Sequence, residues 1–324
     1  MTMETPTPPL LPPANAIPEV PPVLPVVRRP RWRAVVFLLI VGFYPLLLGV
    51  LGHFSGGGQE KAGAALPSSV RGLVMVSIEN FGLFALLFAA AWFFGRPRPV
   101  DLFLRPLRWW DWLWGALWSV GVRLGVLVLI MTVVLPVIAV RMAQSGVSGT
   151  EASKQMEASM QQYRPKVEAL VDLQALADPL YLLVACTLLS FITAGLREEL
   201  WRAGFITSVQ DLLPNSWIEA ARPRPGDSSF KAGWRHLKGH LPAVLLGSVV
   251  FGLGHLIQGP GAVVLTGLVG LILGLVMVAH RSLWTAVIAH GFFDATTFLL
   301  LGLLVRYKDV LEKLQPGISR QLGF

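Results

Sequence analysis

Residues 178–213 read DPLYLLVACTLLSFITAGLREELWRAGFITSVQDLL, an apolar stretch interrupted near its far end by Arg197, Glu198, Glu199 and Arg202, with Pro214 next as a stop. At 1.5 Å per residue a helix of this length reaches about 54 Å. A hydrocarbon core is only ~30 Å thick, so the segment must project beyond a membrane or break. The rest of the chain supports the membrane setting. It is 54% hydrophobic and 14% charged, with a mean hydropathy of +0.61, outside the usual balance of a soluble domain. The expected fold class is therefore all-α, a polytopic transmembrane helix bundle of about seven or eight membrane helices. The single cysteine, Cys186, lies in an apolar run and reads as a small buried hydrophobe; one thiol excludes an intrachain disulfide or a thiolate cluster.

Apolar segments fall near residues 34–52, 70–94, 112–140, 178–213, 241–258, 262–280 and 283–304. Residues 1–33 read as a proline-rich, solvated tail with a basic flank at Arg28, Arg29, Arg31 and Arg33. Residues 34–304 form the bundle, with the candidate core at about 178–304, and residues 305–324 form a C-terminal tail. The net charge of +8 is concentrated in alternate loops, which predicts a cytoplasmic N-terminus rather than nucleic acid as a partner. Arg96, Arg98, Arg105 and Arg108 make the next basic loop, and the loop predicted over 215–240 carries Arg222, Arg224, Lys231, Arg235 and Lys238. Gly56, Gly57 and Gly58 form a glycine-rich link to the second segment, the polar stretch 141–177 is read as an outward loop with a surface helix from Glu151 to Asp172, and Trp109, Trp110, Trp112 and Trp114 as an interfacial belt. Seven crossings place Arg306, Lys308, Lys313 and Arg320 against the positive-inside tendency, an unresolved parity.

Charged groups inside a membrane helix are costly and usually mark function. Glu198 and Arg202 are four apart and are expected to share a helix face and pair, with Glu199 about 100° away. The alternative for this run is the polar cytoplasmic end of a long helix. Two further segments carry isolated polar groups: His255 in Phe251-Gly252-Leu253-Gly254-His255, and His290 with Asp294 four residues on. A lone histidine in an apolar helix is usually a packing residue. Groups from three segments together could supply a general base, a histidine to orient water and donors for an oxyanion, the parts needed for amide hydrolysis.

The Glu-Glu pair, the Phe-x-x-x-His run and the His-x-x-x-Asp run, in that order on successive late segments, resemble the CPBP family of intramembrane proteases. That family includes CAAX prenyl endopeptidases and bacteriocin-processing or immunity proteins. The resemblance covers about residues 180–300, and Leu102-Phe103-Leu104-Arg105-Pro106 is similar to the family's cytoplasmic approach. Two departures stand out. The family's first motif is Glu-Glu-x-x-x-Arg-Gly; aligning Glu198, Glu199 and Gly204 puts Ala203 in the arginine's place and Arg202 one position early. Asp294 stands where many members have Asn.

By resemblance, Glu198 and His255 activate water, His290 and Asp294 polarise the scissile carbonyl or stabilise its oxyanion, and Glu199 and Arg202 shape the site. A zinc version of the same site would use Glu198, His255 and His290 as ligands; sequence spacing leaves metal dependence open. The implied partners are membrane lipid and a protein or peptide substrate, either lipidated or of the bacteriocin-related kind.

Other readings remain beside this one. Gly146-Val147-Ser148-Gly149 is similar to the Gly-x-Ser-Gly of rhomboid proteases but sits in a hydrophilic loop. Transport is a second possibility, without visible inverted repeats, and a noncatalytic scaffold or immunity protein of the same fold is a third. Gly121-x-x-x-Gly125 and Gly270-x-x-x-Gly274 are read as packing positions, and His53, His236, His240 and His280 as solvated or interfacial residues.

Overall fold

The computed structural model describes residues 29–42, 66–145, 154, 166–222, 224 and 226–314. The proline-rich tail before Arg29, the distal part of segment 34–52, His53, the Gly56–Gly58 link, the Gly146–Gly149 run, most of the helix predicted over 151–172 and the end of the C-terminal tail lie outside these residues.

The described residues are helical with no strand. Helix α1, Arg31–Phe37, continues through a widened turn at Leu38–Gly42. Helix α2 is Val70–Gly95. Helix α3 starts at Trp109 and runs through a widened turn, Ile130–Val134, to Ser145. Helix α4 is Pro179–Leu212, and the short α5, Asn215–Ala221, comes next. Then come α6, Ser229–Leu253, α7, Pro260–His280, α8, Leu283–Arg306, and α9, Lys308–Leu314. Six of these, α2, α3, α4, α6, α7 and α8, are long and apolar enough to cross a membrane. The protein is a multi-pass membrane protein.

The stretch over 178–213 forms one helix rather than breaking. The Asp178 carboxylate caps it by accepting from the N–H groups of Leu180 at 2.7 Å and Tyr181 at 3.2 Å, with Pro179 at the first helical position. Leu213 is extended just before Pro214. Between these ends, Ala185–Leu196 is wound as a wider π-helix, and the Ser190 hydroxyl donates to the Ala185 carbonyl five residues back at 2.7 Å. Such widening re-aims the turns that come after it, and those turns carry Arg197, Glu198, Glu199 and Arg202.

Close crossings hold α4 against α8. A Cβ on Gly195 would lie 3.0 Å from the Val287 carbonyl oxygen, so any larger residue would push the two backbones apart. A similar limit applies between α6 and α7, where a Cβ on Gly252 would come within 2.5 Å of the Val263 carbonyl oxygen. Trp201, buried among Phe37, Phe205 and Phe251, donates its indole N–H to the carbonyls of Val41 at 3.0 Å and Gly42 at 3.1 Å. In hydrocarbon an unpaired N–H costs several kcal/mol, so this contact fixes α1 on α4.

The basic loops gather at one end of the bundle. Arg29 pairs with Asp211 at 2.6 Å and reaches the Gly95 carbonyl, while the Leu283 N–H donates to the Phe103 carbonyl at 3.0 Å. The ends of α2, α4 and α7 and the starts of α3, α6 and α8 thus lie together. The start of α2 meets the opposite end, where the Tyr181 hydroxyl donates to the Pro67 carbonyl at 3.0 Å. Helix α8 ends there too, which puts Arg306 opposite the basic loops and leaves the predicted parity as the sequence had it.

Two boundaries differ from expectation. The predicted loop over 215–240 is largely helical, because α6 begins at Ser229, capped by Ser228; hydropathy detects only its apolar part. That helix also ends at Leu253, so His255 sits in the turn before α7 and not inside a helix.

Candidate active site

The rewound part of α4 points its acids at α8. Glu199 is fully buried, and its Oε1 accepts from His290 Nδ1 at 2.8 Å while forming an ion pair with Arg202. A carboxylate cannot donate, so Nδ1 carries the proton and Nε2 of His290 faces the other two acids. It lies 3.8 Å from Glu198 Oε2 and 3.5 Å from Asp294 Oδ2. Glu198 is less enclosed than Glu199 and takes its cation from the adjacent residue, Arg197, at 2.7 Å.

The expected Glu198–Arg202 pair is therefore replaced by Glu199–Arg202. On a helix the two acids are almost equally near the arginine, at i,i+4 and i,i+3, so burial decides. Arg202 is 1% exposed; its guanidinium lies 4.4 Å from the Phe251 ring centroid and its chain passes the glycine face of α7 at Gly270 and Gly274. Glu199 is on that inner side.

Phe251 also links His255 to the cluster. Its ring packs 4.8 Å from the His255 ring and 6.4 Å from that of His290. His255 Nδ1 lies 2.9 Å from the Phe251 carbonyl, an acceptor only, so His255 presents Nε2 as its basic nitrogen. Through the Phe251 ring His255 lies beside the cluster, with no direct hydrogen bond to Glu198. All six residues singled out by sequence, Glu198, Glu199, Arg202, His255, His290 and Asp294, thus converge from α4, the turn after α6, and α8.

Among the described residues, no group of three His, Cys, Asp or Glu side chains is arranged to hold a metal ion. His290 donates from Nδ1 to Glu199 and leaves Nε2, 3.8 Å from Glu198 and 3.5 Å from Asp294, without a hydrogen bond among the described residues.

Sequence reasoning passed over Arg123. It is an arginine well inside α3, where the insertion cost is about 2.5–3.5 kcal/mol, and that rule alone would have flagged it. It donates to the Ser119 carbonyl at 3.0 Å, the Phe293 carbonyl at 2.6 Å and the hydroxyls of Thr296 and Thr297. Asp111 was likewise hidden among the tryptophans. It is completely buried and ties the Leu102–Pro106 run to α8. His240 packs on Phe103 and His280 accepts from the Trp118 indole at 2.9 Å, away from the acid cluster.

The fold and cluster define a class: a polytopic membrane protein with a polar site closed in between late helices. The particular family comes from comparison. Residues 180–296 match the family model described as type II CAAX prenyl endopeptidase Rce1-like; that is 117 of the 324 residues, from 180 through 296 inclusive. Residues 180–296 therefore carry a domain of that family, whose description is that of an endopeptidase. No curated protein and no solved structure matches the chain.

Proposed function

We propose that the protein is an intramembrane endopeptidase that cleaves a membrane-associated, lipidated protein with water activated by Glu198 and His255. The observation that carries this reading is His290 held between Glu199, at 2.8 Å, and the pair Glu198 and Asp294. Glu198, more accessible than the adjacent Glu199, takes the proton as water oxygen attacks the scissile carbonyl carbon, and returns it to the leaving nitrogen as the C–N bond breaks. His255 Nε2 orients the water. His290, with Asp294 beside it, stabilises the developing oxyanion. Glu199 and Arg202 hold His290 in place from behind.

No step is routed through a metal. Metal analysis of purified, active protein tests the zinc version of the site, and full activity in metal-free protein excludes it. The basic residues gathered at one end of the bundle support a cytoplasmic N-terminus, which accessibility labelling of a cysteine placed beside Arg31 would check.

A noncatalytic scaffold is the second reading, favoured by Ala203 standing where the family has arginine. Cleavage of prenylated and other membrane-associated peptides by purified protein in lipid separates the two. Activity in the wild type that is absent in a folded Glu198→Gln variant supports the protease; equal cleavage in both removes Glu198 from the mechanism.

A further inference from the structure

We propose that Arg123 is a positioning residue of the same site, holding the peptide unit before Asp294 and supplying the third positive charge against the three-carboxylate cluster. Its catalytic consequence rests on the protease reading above. Arg123 belongs to α3, which lies outside the residues matched to the family, yet its cross-helix hydrogen bonds fall on the turn of α8 that carries Asp294. Nη2 donates to the Phe293 carbonyl at 2.6 Å, to the Thr296 hydroxyl, and to the Thr297 hydroxyl at 3.3 Å. The guanidinium carbon lies 4.6 Å from the Phe293 ring centroid. The Phe293 carbonyl is half of the peptide bond to Asp294, so gripping it sets the direction in which Asp294 leaves the helix.

No carboxylate among the described residues lies within ion-pair distance of Arg123, and the acid whose charge acts on it is Asp294. The charges facing Asp294 are those of His290 on its own helix, Glu198 and Glu199 from α4, and Arg123 from α3. Behind them stand Arg197 on Glu198 and Arg202 on Glu199, with His255 across the Phe251 ring from His290. Three carboxylates thus meet two paired arginines, and Arg123 makes the third. With it the guanidinium groups at the cluster equal the carboxylates in number. A cation that only anchored α3 to α8 would need the carbonyl and hydroxyls but not the position next to Asp294.

The test is a double-mutant cycle on thermal stability in lipid nanodiscs, using Arg123→Gln, Asp294→Asn and both together. Arg123→Gln is expected to lower Tm by about 5 °C, and adding Asp294→Asn to recover at least half of that loss, because removing both charges restores the balance. Additive losses overturn the proposal, since they are what lost anchoring alone gives. If Arg123→Gln yields no folded protein, a folded double variant supports the proposal and an unfolded one overturns it. Cleavage of a prenylated peptide adds a second readout: kcat falls about tenfold in Arg123→Gln with KM unchanged, and Arg123→Lys regains most of it. The stability cycle stands even if the wild type cleaves nothing, so failure of the protease reading and failure of the charge role are distinguishable.

Discussion

Among the described residues, the carboxylate centre at Asp111 and the one at Glu198, Glu199 and Asp294 have surroundings that differ in kind. Asp111, at the basic end, is saturated: Arg105 reaches both of its oxygens at 2.9 and 2.6 Å, the Arg108 N–H donates at 2.9 Å, and the hydroxyls of Ser282 and Thr285 donate at 3.0 and 2.7 Å. Every lone pair is spoken for. The Glu198–Glu199–Asp294 centre has the opposite character. Glu199 Oε2 has no hydrogen-bond partner, and beyond its ion pair with Glu199 no hydrogen bond reaches the Arg202 guanidinium. Native proteins rarely leave buried polar groups short of partners, and places that do so need an explanation. A saturated carboxylate is a fastening; an unsaturated cluster of acids around a histidine has capacity left for a substrate and a water.

This contrast predicts opposite responses to mutation, the largest at Glu198. Glu198→Gln keeps the shape of the side chain and removes the base, so cleavage should fall about 10²–10⁴-fold in protein that still folds. A cleavage rate within threefold of wild type would end the assignment. Asp111→Ala should do the reverse. It leaves Arg105 without its buried partner, a loss of about 3–5 kcal/mol, seen as a sharp drop in folded yield and Tm. The protein that does fold should cleave at a rate near that of wild type, and a specific activity reduced in step with Glu198→Gln would mean that Asp111 belongs to the chemistry.

Glu199 is the position at which the two kinds of centre overlap. Glu199→Gln leaves the Arg202 charge buried without a counter-ion, so it should destabilise by about 3 kcal/mol and also release His290, lowering kcat. Loss of one property without the other, read from Tm and kcat on the same preparation, would show that the pair Glu199–Arg202 serves only packing or only catalysis.

Much of this was legible in the sequence, and the failures share a physical cause. The six spans are set by apolar length, and the acids and histidines were visible because each breaks an apolar run. The start of α6 at Ser229 was hidden because a helix that emerges from the membrane turns polar without ceasing to be a helix. The Arg202 partner was misassigned because residues three and four apart are both helix neighbours, and only the burial of Glu199 against α8 chooses between them. Arg123 and Asp111 escaped because each is a single charge in a segment already explained by lipid or by tryptophans. Their partners come from residues more than 160 positions away, a proximity that exists only once α3 and α8 pack.

The smallest effect belongs to Thr285, one of the five donors on Asp111. Thr285→Val is nearly isosteric and equally branched at Cβ, so it leaves the helix and its packing in place and removes a single hydroxyl. Asp111 Oδ1 keeps Arg105 and Ser282, so the carboxylate is not orphaned and the loss should be that of one hydrogen bond to a charged group, about 1.5–3 kcal/mol at most. Tm should drop by a few degrees, and kcat should stay within twofold of wild type. If kcat fell fivefold or more at unchanged Tm, the fastening at the basic end would be shaping the acid cluster through α8, since Thr285 and His290 lie on the same helix little more than one turn apart. The two centres would then be one machine, and the division drawn from their hydrogen bonding would fail at its cheapest point of test.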